Sequence, residues 1–196
     1  MQKGIIIVVG LGAVILVLVA VMLLVPGKTT APVAPSTPAV PKIPSSNMTL
    51  TSPAFEHNGL IPKKFTCDGE NINPELLIQN VPAEAKSLAL IMDDPDVPKS
   101  IRPDGMWVHW LVWNIPPETL AIGEGSNPQG VLGKNTGGEN AYGGPCPPDR
   151  EHRYFFKLYA LDTVLDLEEG AAKEALESAM QGHVIAETEL IGRYTR

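Results

Sequence analysis

Four side chains in three short stretches are of the kinds that hold or move protons. They are Asp94 in Asp93-Asp94-Pro95-Asp96, His109 in Trp107-Val108-His109-Trp110, and His152 and Tyr154 in His152-Arg153-Tyr154. A carboxylate at Asp94 can accept a hydrogen bond from His109, which would fix the ring and raise its basicity. The second ring nitrogen would then face a cavity as a donor, with the Tyr154 hydroxyl and His152 adding further donors. A fourth stretch, Tyr142–Pro148, brings Gly143 and Gly144 beside Pro145 and Pro147. Backbone N–H groups at such glycines can cradle phosphate oxygens, and prolines stiffen a wall. Trp107 and Trp113 offer surface to an apolar part of a ligand. Together these residues suit a pocket for a small anion. Each also has a plainer reading: aspartates in a turn bond nearby backbone N–H groups, and a histidine among aromatics is commonly a satisfied core residue. The same Asp94, His109 and Tyr154 could do acid–base work in a hydrolase, with His109 as base. Against that, no serine sits in a GxSxG elbow, and Cys146 lies between prolines with no evident base. No CxxC, HxxxH or HExxH pattern is present, so neither a metal site nor a cofactor is expected.

The elements that must position these residues are mostly strands. Ser87–Met92 is a short apolar run ending at the aspartates, and Trp107–Ile115 is a long run of aromatic and β-branched residues. Tyr154–Leu161 and Val184–Tyr194 read as two further strands. Alternation puts Trp107, His109, Leu111 and Trp113 on one face and Val108, Trp110, Val112 and Asn114 on the other. One helix is expected at Gly170–Gln181, with Ala172, Ala175, Leu176, Ala179 and Met180 as its apolar side and Gly182 capping its end. Gly123–Pro148 is a long connection rich in glycine and proline, of the sort that carries function.

Charge divides the chain. Its 196 residues carry a formal net charge of −7. Residues 1–46 contain three lysines and no acid, so residues 47–196 hold a net −10. That acidity argues against a duplex nucleic-acid partner, which needs clustered Lys and Arg. Residues 4–25 are an uncharged apolar run of 22 residues stopped by Pro26-Gly27. A helix of that length is long enough to cross a bilayer. Residues 1–25 therefore read as a transmembrane anchor, favoured over a cleaved signal segment, which usually has a shorter apolar region. Residues 26–46 hold six prolines and read as an extended linker. The expected location is the membrane, single-pass, with a domain at 47–196 outside the cytoplasm.

Several ordered motifs resemble the phosphatidylethanolamine-binding protein family, in particular its bacterial and archaeal Raf-kinase-inhibitor-like branch. They are Phe65-Thr66-Cys67-Asp68-Gly69, Asp94-Pro95-Asp96-Val97-Pro98, Trp107-Val108-His109-Trp110, the run from Gly143 to Asp162, and the run from Gly182 to Tyr194. The resemblance covers roughly Met48–Arg196. It implies a mainly β fold with a large central sheet, a second smaller sheet and few helices. It also implies a small pocket for phosphate-like groups, including phospholipid head groups, with Asp94, His109, Gly144, Pro145, Pro147, His152 and Tyr154 as its ligand-binding residues. Asp96 would shape the turn and Arg153 would pair with an acid outside the pocket. Two stretches depart from the branch: Asn71-Ile72-Asn73-Pro74, where a Ser-Pro is usual, and Lys134–Gly138, which lacks an aromatic. Cys67 and Cys146 can form a disulfide in an oxidising compartment or remain two thiols. The resulting expectation is a membrane-tethered binding protein, not an enzyme, for a phosphorylated small molecule or lipid head group. It could also modulate a protein partner, or act from its surface as a protease or kinase inhibitor.

Overall fold

A computed structural model describes residues 47–196 of the chain. Two antiparallel-rich sheets carry the fold. The larger has six strands in the order β2-β9-β8-β4-β5-β7. These are β2 (Gly59–Leu60), β4 (Ser87–Asp94), β5 (Trp107–Ile115), β7 (Val131–Leu132), β8 (His152–Leu161) and β9 (Val184–Tyr194). The smaller has three, in the order β1-β3-β6: β1 (Thr49–Thr51), β3 (Leu76–Gln79) and β6 (Ala121–Ile122). The mainly β expectation with two unequal sheets and a late helix therefore holds for the described residues. The long connection Gly123–Pro148 is not wholly structureless, because its Val131–Leu132 pairs with the edge of β5.

Strand β4 lies between β5 and β8 and is buried along its whole length. A strand covered on both faces has no polar side to show, so it reads as a continuous apolar run rather than an alternation. On one face of the large sheet, Leu90, Met92, Trp110, Val112, Phe156 and Leu158 pack with Leu50, Leu76, Ile78 and Ile122 of the small sheet. On the other, Ala89, Ile91, Val108, Leu111 and Trp113 pack with Leu176 and Met180 of α1 (Lys173–Met180). The helix is shorter than the pattern predicts, since Gly170 at φ +81° and extended Ala172 delay its start. Lys173 in its first turn would oppose the helix dipole. Buried Asp93 compensates, with one oxygen 2.8 Å from Lys173 Nζ and both oxygens accepting from Lys157 Nζ at 2.9 and 3.0 Å.

Strict alternation fails in β5. Met92 pairs with Trp110, but the next residue, Asp93, pairs with Val108, so His109 is one residue too many. This bulge reverses the facing of everything before it. Leu111 and Trp113 pack toward α1, whereas His109 lies on the opposite side, with its ring 5.2 Å from that of Tyr154. The expected grouping of His109 with Leu111 and Trp113 is therefore corrected.

Among the described residues, no helix is long and apolar enough to cross a membrane. The expectation of a single-pass membrane location is corrected on that finding. Residues 4–25, on which it rested, lie outside the described residues, as do the rest of the expected anchor at 1–25 and the linker at 26–46.

Cys67 and Cys146 are joined in a disulfide with Cα atoms 5.5 Å apart and a sequence separation of 79. It ties the segment after the single helical turn at Lys63–Phe65 to the glycine–proline loop. Closing a loop of this size stabilises the fold by about 4 kcal/mol in the chain-entropy treatment. The double variant Cys67→Ser/Cys146→Ser should lower the urea midpoint of the domain by a corresponding amount. A midpoint matching that of the oxidised wild type would show that the crosslink contributes nothing.

Candidate functional site

The end of β4 and the start of β5 meet the loop between them, the segment holding Cys67 and Asn71, and the loop after β7 around a cavity of about 550 Å³. Period-two alternation at the end of β4 sends Asp93 toward α1 and Asp94 toward this cavity. The bulge sends His109 there from β5, and Trp107 lies across from Asp94 in the ladder. Asp94, Trp107 and His109 line the cavity with Val97 and Ile101 from the loop between the two strands. The opposite wall is Asn71, Tyr142, Gly143, Gly144 and the disulfide cysteines, with Glu139 and Asn135 on the remaining side.

Hydrogen bonding within the site differs from the expectation. Asp94 does not accept from His109. Its Oδ2 lies 2.7 Å from His152 Nδ1, and its Oδ1 accepts from the Asp96 N–H at 2.8 Å. Burial raises the Asp94 pKa above the ordinary carboxylate value, and the bonds from His152 and Asp96 only partly offset it. His152 is wholly buried, with its Nε2 2.8 Å from Asp149 Oδ1. Each of these two nitrogen–oxygen contacts needs one proton. The chain Asp149–His152–Asp94 thus shares two protons and carries one net negative charge. Both nitrogens of His152 are taken up by carboxylates, so it positions Asp94 and offers nothing to a ligand. Arg153 faces outward and pairs with Asp96 through two bonds of 2.8 Å, which holds the turn after β4.

His109 donates from Nδ1 to the Gly143 carbonyl at 2.6 Å, since a carbonyl can only accept. Burial lowers its pKa to about 4, against a smaller opposing effect of that carbonyl. The ring is therefore neutral near pH 7, and its second nitrogen, Nε2, is an acceptor rather than the expected donor. Tyr154 lies under His109, fully buried, with its hydroxyl unpartnered. Burial first, and Asp94 second, hold its pKa well above the ordinary phenol value.

The glycine loop is committed to the protein. Gly143 N–H donates to the His109 carbonyl at 2.9 Å, and Gly144 N–H donates to Asn71 Oδ1 at 2.8 Å. Gly144 is needed for close approach. A Cβ there would lie 2.5 Å from the Phe65 carbonyl oxygen and 2.6 Å from Asn71 Oδ1. Pro145 and Pro147 are buried behind the wall, and Pro148 reaches the cavity. The only charged side chains in the lining are Asp94 and Glu139; it contains neither Lys nor Arg. Trp113, expected to flank a ligand, packs on the far face of the sheet.

Sequence reasoning missed Asn71, Glu139, Asn135, Ile101 and Asp149. Asp149 had a signal in its spacing, three residues before His152. Asn71 and Asn135 had one in the departure of their stretches from the family pattern. Ile101 and Glu139 sit in loops with no periodicity to place them.

A two-sheet β fold with a cavity where two central strands end defines a small-ligand-binding domain. The chain belongs to the phosphatidylethanolamine-binding protein family, whose pattern matches residues 51–195. It is 53% identical over 149 residues to a UPF0098 protein of Chlamydia trachomatis, covering 76% of this chain and 99% of that one. It is 54% identical to a UPF0098 protein of Methanothermobacter thermautotrophicus, with the same coverage. The crystal structure of a phosphatidylethanolamine-binding protein homolog from Chlamydia trachomatis superposes with a TM-score of 0.75 at 53% identity, covering 78% of this chain and 99% of that one. Escherichia coli YbcL, described as a member of the mammalian family, gives 0.69 at 28% identity, covering 76% and 98%.

The depressed His109 pKa has a consequence for stability. The unfolded chain binds a proton at this ring below about pH 6.5, whereas the folded chain does so only below about 4. Stability conferred by keeping the ring neutral is complete above pH 6.5 and is lost as pH falls through that window, by about 3 kcal/mol in all. In His109→Asn this part of the pH dependence should vanish. Parallel stability–pH curves for the two proteins, from urea unfolding, would refute the assignment.

Proposed function

We propose that the protein binds a small phosphate-bearing ligand or head group in this cavity and does not transform it. The observation that carries the reading is the convergence of Asp94 and His109, from adjacent strands, on one cavity walled by Trp107, Ile101 and the disulfide loop. A mixed wall with few polar groups suits a ligand having one polar end and an apolar or neutral remainder. Family membership supports phosphate as the polar end. The absence of turnover is supported by how the hydrogen bonds are committed. Asp94 is held by His152 and His109 by Gly143, so the two do not form the base-and-orienter pair a hydrolase would use.

Calorimetric titration with inorganic phosphate and with phosphoethanolamine tests the reading. Wild type should bind, and His109→Asn, which can keep a donor for Gly143 but lacks Nε2, should bind on the order of tenfold more weakly. No binding by wild type would overturn the reading. Hydrolysis of ester or phosphoester probes that disappears in His109→Asn would overturn its non-catalytic half.

A further inference from the structure

The lining poses a problem for any phosphate-bearing ligand. It brings two carboxylates, Asp94 and Glu139, and no Lys or Arg. His109 presents an acceptor, because its hydrogen goes to Gly143. The glycine N–H groups are already bonded within the protein. A fully ionised oxyanion would therefore meet like charge and lone pairs at Asp94 and His109. In a site of reduced dielectric, that repulsion is larger than in water. An oxyanion that carries a hydrogen meets the same two groups as a donor. A charge-assisted O–H···O bond to a carboxylate is among the stronger hydrogen bonds. Neutral groups such as the Asn71 amide remain for the other oxygens.

Resting on the proposed phosphate reading, we infer that the cavity selects oxyanions that bear a proton. It takes hydrogen phosphates and the monoanions of phosphomonoesters, whose P–O–H donates to Asp94 or His109 Nε2, and it rejects sulfate and phosphodiesters, whose oxyanion carries no hydrogen. An intact phospholipid whose head group is a diester falls in the rejected class. Asp149 has a part in this although it is outside the cavity. It anchors His152, and His152 fixes the Asp94 carboxylate that receives the ligand's hydrogen. Asp149 is in this sense a positioning residue.

The selection should follow the ligand's proton. The second ionisation of a phosphomonoester falls near pH 6, so affinity should decline above that value as the dianion takes over. The groups facing Asp94 are His152 and Tyr154 on β8, His109 on β5, Asp96 on its own loop and Glu139 across the cavity. His109, with its pKa near 4, does not titrate in that range.

Four probes decide the matter by calorimetry between pH 5.5 and 8, chosen to bracket the ligand's ionisation at about 6. They are inorganic phosphate, phosphoethanolamine, glycerophosphoethanolamine as the diester, and sulfate. The expected result is that phosphoethanolamine binds at the acid end and weakens as pH rises, inorganic phosphate, which keeps one P–O–H after its second ionisation, binds across the range, and the diester and sulfate bind on the order of tenfold more weakly or not at all. Glu139→Gln, an exposed rim substitution that leaves the buried contacts in place, should narrow the gap by strengthening sulfate. Asp149→Asn should weaken the discrimination, leaving a folded protein by circular dichroism. Equal binding of monoester and diester would overturn the inference and leave the phosphate reading standing. Failure of all four probes to bind would overturn both.

Discussion

One extra residue in a strand decides where the chemistry of this protein lies. Between Trp110 and Val108, β5 has a residue that β4 does not match, and that residue is His109. Without the bulge, His109 would face α1 with Leu111 and Trp113, in a packed apolar layer. With it, His109 lies over Tyr154 and lines the cavity together with Asp94, on the side where the loops leave space. A bulge changes a strand's facing at the cost of a locally disrupted ladder. Here the lost regularity is offset by a hydrogen bond from His109 to the Gly143 carbonyl and another from Gly143 N–H to the His109 carbonyl. The glycine loop is held where it is because β5 is bulged, and the cavity exists between them.

The end of β4 carries two adjacent buried carboxylates on opposite faces, and each is resolved differently. Asp93 is met by two lysine ammonium groups, one from β8 and one from α1, and thereby ties the helix to the sheet. Asp94 is met by an imidazole that is itself held by a second carboxylate. A buried charge is tolerated only when paired and hydrogen-bonded. Full pairing by cations makes Asp93 a structural anchor. Pairing through a shared-proton chain leaves Asp94 in the cavity lining, each oxygen accepting one bond from the protein and keeping capacity for another. The same difference separates a site that holds the fold from one that can meet a ligand.

Much of the fold was legible because its signals are local. The residue pattern marks β5 and β9 with their observed ends, since each is a long run of strand-forming residues bounded by turns. β4 and β8 extend two residues beyond their apolar patterns, at the ends that carry Asp93, Asp94, His152 and Arg153, because polar residues there hide strand geometry. The helix is legible in the sequence but begins later than its pattern, because the backbone at Gly170 is left-handed. Of the candidate residues, Asp94, His109 and Gly144 line the cavity. His152, Tyr154, Pro145 and Pro147 lie behind it.

Residue type and order alone determined the family, the mainly β class and the set of polar groups from which the site is drawn, because these depend on local pattern and motif. Tertiary structure alone decided what each polar group does. Whether His109 donates or accepts depends on a carbonyl 34 positions away, and whether His152 meets a ligand depends on a carboxylate 58 positions away. A bulge, too, is a mismatch between two strands and exists in neither one separately. Hydrogen-bond roles and strand register are properties of pairs. A single chain read in order contains the members of each pair but not the pairing.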